Sequence, residues 1–232
     1  MTETALIEAN AAGNAGATPF TGGTVSLREQ AYEAIKHRIV TCAYKPGEYL
    51  NEANISKALG LGRTPVHQAL DRLMLEHMVE VIPRKGVIVK PVSLEEVMAI
   101  IDVRLVNEPY CAGLAAERAD SGDIAQMSAI LAQADEMRES RDIERRMLAD
   151  RKFHSVMAHA AKNDVLADVL RKLHERSLRF WFISLSVSGH LSAVDDEHRK
   201  ILDAIESRDP EAARQRTREH IESFRSNIIS YI

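Results

Sequence analysis

Asp150 and His154 stand four residues apart in DRKFHSVMAHAAKN, a spacing that puts both side chains on one face of a helix. His198, in DEHRKILDAIESRD, and His220, in TREHIESF, fall in later helical segments. A carboxylate and three imidazoles make a donor set suited to Zn²⁺, Mn²⁺, Fe²⁺ or Ni²⁺, provided they converge. Spacing alone does not bring them together. The chain has nine histidines, so an Asp/His pair at helical spacing is expected by chance. Taken on spacing, the four read first as core or surface side chains, and His159, His174 and His190 read as structural or exposed.

A second constellation lies in LGLGRTPVHQALDRL, residues 59–73. Thr64 suits an N-cap and Pro65 a first helical residue. At about 100° per residue, Val66, Ala69, Leu70, Leu73 and His77 share one side. Thr64, His67, Gln68, Asp71 and Arg72 share the other, with Arg63 just ahead of the first turn. A core has no use for such a helix start. A major groove does: arginine can fork onto guanine, glutamine onto adenine, and the helix N-terminus attracts phosphate. VEVI and GVIVKP then read as two short strands, with Arg84, Lys85 and Gly86 at a basic tip able to lie along a DNA backbone or minor groove.

The elements that must carry these residues are mostly helical. Apolar residues make up 45% of the 232, enough for a substantial core, while aromatics are only 5%. Net charge is −4, but residues 26–92 carry ten Lys/Arg against seven Asp/Glu, the sign a nucleic acid requires. No apolar run reaches the ~20 residues of a membrane span. The N-terminus lacks the layout of a secretion signal. Cys42 and Cys111 follow no ligand spacing and read as reduced core thiols, so the expected location is cytoplasmic.

Residues 1–25 read as a disordered tail. SLRE at 26–29 reads as a capping box, followed by Leu27, Ala31, Ile35 and Ile39 on one buried face. KPGE at 45–48 turns the chain, and a short helix over Glu52–Leu59 ends at Gly60 and Gly62. A second capping box, SLEE at 93–96, opens six predicted helices near 94–118, 122–140, 142–162, 164–187, 194–208 and 210–230. Breaks are expected at Ser121-Gly122, Asn163-Asp164, Ser188-Gly189 and Asp209-Pro210, and a kink at Pro109. The expected fold class is mainly α: a winged helix-turn-helix over 26–92, then an all-helical domain over 93–232.

YKPGEYLNEANISKALGLGRTPVHQALDRL resembles the winged helix-turn-helix of the GntR family of bacterial transcription regulators. Arg63, Thr64, Pro65, Val66, Ala69 and Leu70 match its Arg-Thr-Pro-Val-Arg-Glu-Ala-Leu run; His67 and Gln68 depart from it. Residues 93–230 resemble the FCD effector domain of the FadR branch, and six helices resemble its VanR-like subgroup. That resemblance implies a divalent metal, zinc first, on Asp150, His154, His198 and His220. It also implies Arg104, in the first FCD helix, as a clamp on an effector's carboxylate; the alternative for Arg104 is an intrahelical pair with Glu108. LRFWFISL, with Arg176, Arg179 and Trp181 at or near it, reads as core packing.

The function expected is a ligand-responsive regulator, a repressor, binding a pseudo-palindromic operator as a homodimer and a small organic acid in a metal-containing cavity. DNA contacts are expected from Arg63, Thr64, His67, Gln68, Arg72, Arg84, Lys85 and Gly86. The alternatives are a metal-dependent hydrolase or a metal sensor built on the Asp/His cluster. No nucleophile motif or phosphate-cradling loop supports an enzyme.

Overall fold

The computed structural model describes residues 25–91, 93–136, 142–188 and 191–229. The expected tail, Val25 apart, lies outside them.

Helix α1, Leu27–Val40, starts where the sequence places it: Ser26 Oγ accepts from the Glu29 N–H at 3.2 Å. The Glu29 carboxylate is turned instead toward Arg72, a charged donor that outcompetes a backbone amide. The buried face is Ala31, Tyr32, Ile35, Lys36, Ile39 and Val40. Leu27, expected on that face, is 57% exposed. Steps of four residues drift by about 40° around a 3.6-residue helix, so a row traced back from Ile39 leaves the packed side.

Strand β1, Tyr49–Leu50, leads into α2, Glu52–Leu59, which ends at Gly60 in the left-handed region at φ 65°. That conformation is one glycine adopts without steric cost. Helix α3 runs from Arg63 to Leu75 with Gly62 as its N-cap and no side-chain cap bond. It therefore begins earlier than the expected Thr64 cap, and Arg63, Thr64 and Pro65 all lie in its first turn. A proline there is tolerated because first-turn amides have no intrahelical partner. At the other end, His77 is past the helix, at φ 58° and exposed, not on the apolar side expected of it.

Strands β2, Val79–Ile82, and β3, Gly86–Val89, form the expected hairpin, and β1 joins β3 in an antiparallel sheet of order β1-β3-β2. Val79 pairs with Val89, Ile82 with Gly86, and Tyr49 with Ile88. The tip closes as the Lys85 N–H donates to Ile82 O at 3.0 Å.

Six helices follow in the described residues: α4 Leu94–Arg118, α5 Ser121–Glu136, α6 Ile143–Ala160, α7 Asp164–Ser188, α8 Leu191–Glu206 and α9 Pro210–Ile229. Ser93 caps α4 by accepting from the Glu96 N–H at 3.1 Å, and Pro109 sits inside this helix. The expected extension of α5 to 140 and the break at Gly189 fall outside the described residues. No helix among those described is long and apolar enough to cross a membrane.

One apolar cluster joins α1, α3 and the sheet, through Ile35, Leu70, Leu73 and Val89, to Ile101, Leu178 and Phe224 of the helical half. A second holds Phe153, Met157 and Ile201 between α6 and α8. The first cluster presses the polar face of α3 outward, so it governs what the molecule can present. Leu73 is 0% exposed at its centre. Leu73→Ala should cost about 2–5 kcal/mol in urea unfolding, a transfer loss plus a cavity.

Candidate metal centre and nucleic-acid interface

Helix α6 is fixed at its start by Asp142, whose side chain accepts from the Arg145 N–H, and its Met147, Phe153 and Met157 are buried. Those apolar positions turn Asp150 and His154 into the bundle. His198 of α8 packs its ring 4.6 Å from that of Phe153, and His220 of α9 lies 5.2 Å from the His154 ring. Asp150, His154, His198 and His220 are all buried, and each offers a ligand atom within 4.8 Å of the others. The four residues singled out in the sequence therefore meet.

Their atoms face one another. His154 Nε2 and His198 Nε2 are 3.2 Å apart, and Asp150 Oδ1 is 3.4 Å from His198 Nε2 and 3.8 Å from His154 Nε2. Two imidazole nitrogens that close need a proton or a cation between their lone pairs. Ligands bound at ~2.0–2.2 Å stand roughly 3–3.5 Å from one another; the His154–His198 and His198–Asp150 separations fall in that range, and the Asp150–His154 separation of 3.8 Å is somewhat wider. Glu197 Oε2 lies 2.8 Å from His220 Nδ1, which leaves His220 Nε2 for the centre. A divalent cation fits this donor set.

Electrostatics favour the same occupant. Burial pushes the Asp150 carboxyl upward, but the His174 hydrogen bond at 3.1 Å and the facing imidazoles hold it well below the usual carboxylate range. Burial, then His220, pushes His198 well below 6.5, and burial lowers His174 against the pull of Asp150. The centre is thus an ionised carboxylate beside a neutral imidazole, the protonation states that a metal requires.

Sequence reasoning missed His174, and no signal in LHERSLRF separates it from a surface histidine. It is buried against Asp150, with its Nδ1 left without a hydrogen-bond partner. Glu108 was noticed only as a partner for Arg104. It stands with Oε2 3.4 Å from His154 Nδ1, without hydrogen-bond alignment, and is held ionised by Arg104 against the upward push of burial. Arg104 is itself buried and donates through Nε to Glu108 and through Nη1 to Ser177. The intrahelical alternative for Arg104 is therefore formed.

A cavity of about 240 Å³ opens beside the cluster, lined among others by Glu108, Arg151, His154, Arg171, His174 and Glu175. Arg104, Arg176 and Arg179 do not line it; Arg176 pairs with Glu96.

In the winged helix-turn-helix, Arg63, Thr64, His67 and Gln68 are exposed along α3, and Arg84, Lys85 and Gly86 are exposed at the hairpin tip. Arg72 differs. Its guanidinium lies 3.4 Å from the Tyr32 ring centroid and pairs with Glu29 at 2.8 Å and Glu76 at 3.4 Å, so its donors are already engaged. His67 Nδ1 sits 2.9 Å from Glu52 Oε1, and that bond, helped by Asp71, raises its pKa above 6.5. His67 is thereby more cationic near neutrality than a free imidazole.

Residues 99–223 match the FCD domain family, and residues 27–89 match the bacterial regulatory proteins of the gntR family. The chain belongs to the gntR family, in its FCD-bearing branch. It is similar to the HTH-type transcriptional regulator McbR of Escherichia coli K12, 26% identical over 82% of this chain and 87% of that protein. It is also similar to the HTH-type transcriptional repressor RspR of the same organism, 22% identical over 88% of this chain and 90% of that protein. The solved structure of E. coli McbR/YncC superposes with a TM-score of 0.82 at 24% identity, covering 90% of this chain and 99% of that one, and supports the fold. GntR-family relatives are transcription regulators rather than enzymes, and this chain is a regulator of that family.

The depressed histidines give a stability prediction for the metal-free protein. The unfolded chain takes up protons near the ordinary value of 6.5 while folded His174 and His198 do not, so unfolded protein gains as pH falls. Stability should be fully present above that value and decline toward the lower folded values. In chelator, the urea midpoint at about pH 5.5 should lie below that at about pH 7.5, and His198→Gln should shrink the gap. Equal midpoints would rule out the assigned protonation states.

Proposed function

We propose that this gntR-family regulator is a ligand-responsive repressor made of a DNA-binding part, residues 26–92, and an effector part, residues 93–232. A homodimer would present α3 and the β2–β3 tip of each copy to the two halves of a pseudo-palindromic operator. Arg63, Thr64, His67 and Gln68 are placed for base edges, and Arg84, Lys85 and Gly86 for the backbone or minor groove. RspR, a relative over most of its length, carries the name of a repressor.

The observation that carries the effector half is the cavity of about 240 Å³ abutting the buried Asp/His cluster in a chain that also bears a winged helix. Asp150, His154, His198 and His220 hold a divalent cation, zinc first among the borderline ions their chemistry admits. A bound cation would supply a Lewis-acidic position for one oxygen of a small organic acid. Arg151 and Arg171 at the cavity wall supply the cationic surface expected of Arg104. Arg104 serves the same site from behind, by keeping Glu108 ionised and oriented toward His154.

Metal analysis of the purified protein tests the first half of this reading. His154→Ala should lose most of its bound metal while residues 26–92 retain their fold; undiminished metal content would discard this ligand set. Operator titration tests the second. Arg63→Ala should weaken specific binding by about 1–3 kcal/mol at fixed salt, with an unchanged footprint and affinity removing Arg63 from the base contacts.

A further inference from the structure

Lys36 belongs to α1, among the DNA-binding elements, yet its ammonium side chain is only 2% exposed. It donates across to Glu175 of α7 and to Tyr32 Oη at 2.6 Å, with Glu76 Oε2 3.4 Å away. Glu175, 4% exposed, is shared: Oε1 accepts from Arg151 at 2.9 Å, and Oε2, which takes Lys36, stands 3.5 Å from Arg171 Nη1. Arg151, Arg171 and Glu175 all line the cavity beside the metal centre. Beyond Lys36, the Tyr32 hydroxyl donates to Glu76 at 2.8 Å, and Arg72 stacks on the Tyr32 ring. A continuous run of charged contacts therefore leads from the cavity wall to the last turn of α3.

Three cations meet on the buried Glu175 carboxylate, although Asp168 also takes Arg171 at 2.9 Å and Glu76 stands near Lys36. Lys36 is buried while Arg151 and Arg171 are 34% and 38% exposed, so their repulsion of Lys36 is partly screened, and Glu175 is the carboxylate that all three share. An acid in the cavity that pairs with Arg151 and Arg171 removes that repulsion and leaves Glu175 to Lys36. We infer that Glu175 is a shared counter-ion through which an anion in the cavity tightens the Lys36 contact and fixes the DNA-binding half against the helical half. The inference rests on the proposed use of the cavity by an acid, though not on which acid. Coupling of this kind is reciprocal: protein with Lys36 held takes the anion more tightly. A merely structural salt bridge would show no dependence on the charge at Arg151 and Arg171.

The test is the rate at which acetic anhydride acetylates Lys36 in the full-length, metal-loaded protein. It is read by peptide mass spectrometry against the exposed Lys57. The double variant Arg151→Gln/Arg171→Gln removes the competing charge as an anion would, and should label Lys36 about 5-fold or more slowly than the parent. Glu175→Gln should label faster, and in its presence the arginine changes should have no effect. Arg171→Gln alone, at the more exposed of the two arginines, gives the same sign should the double variant fail to fold by circular dichroism. Malonate, the probe acid, should slow labelling of the parent and not of Glu175→Gln. Labelling in the arginine variants as fast as in the parent, or an arginine effect that survives Glu175→Gln, overturns the inference. Calorimetric binding of malonate with unchanged Lys36 labelling also overturns it, yet keeps the effector reading. Slower labelling in the arginine variants with no acid bound supports the shared counter-ion and removes the effector reading instead.

Discussion

An ionised carboxylate deep in a helical bundle survives only among groups that repay its lost hydration, and Asp150 is such a carboxylate. His174 bonds one of its oxygens while His154 and His198 face the other. The rest of the helical half is arranged around that requirement. Phe153, Met157 and Ile201 fix α6 against α8, and Glu197 turns His220 so that its free nitrogen points inward. Without a cation, two imidazole nitrogens 3.2 Å apart must share a proton; with one, every donor at the centre has an occupant to bind.

The centre lies at the wall of a cavity, and the cavity lies against the helix that touches the DNA-binding elements. Two kinds of contact cross from one half to the other. The apolar cluster from Ile35 and Leu73 to Leu178 and Phe224 is indifferent to charge and holds the halves in register. The ionic contact of Lys36 with Glu175 responds to whatever charge enters the cavity. Placing a charge-sensitive contact inside a charge-insensitive one allows the halves to stay joined while the stiffness of the junction changes. The exposed residues of α3 are where such a change would be felt; Arg72, engaged by Tyr32, Glu29 and Glu76, ties that helix to the same network.

The elements were legible where their signals are local. Ser26 and Ser93 cap the helices that follow them, Gly60 ends α2, and the hairpin around Arg84 and Lys85 forms as read. Strand β1 was not legible, because two residues carry no alternation. Leu27 and His77 were misplaced because a regular four-residue step or a continued helix was assumed where the face drifts or the helix stops. Of the site, Asp150 and His154 share a helix turn, but their convergence with His198 and His220 depends on how three helices pack, which only the family resemblance supplied. His174, Glu175 and Lys36 gave no sign at all. Each is a polar residue at a position that would suit solvent equally well, and only tertiary packing buries it.

Anomalous diffraction from crystals of the protein as purified is the most direct measurement of the central claim, that Asp150, His154, His198 and His220 surround a divalent cation. A single strong peak is expected within about 2.0–2.2 Å of Asp150, His154, His198 and His220 donor atoms, with an absorption edge naming the element. Electron density showing His154 and His198 hydrogen-bonded directly to each other, with no anomalous scatterer between them even after soaking in zinc, would contradict it.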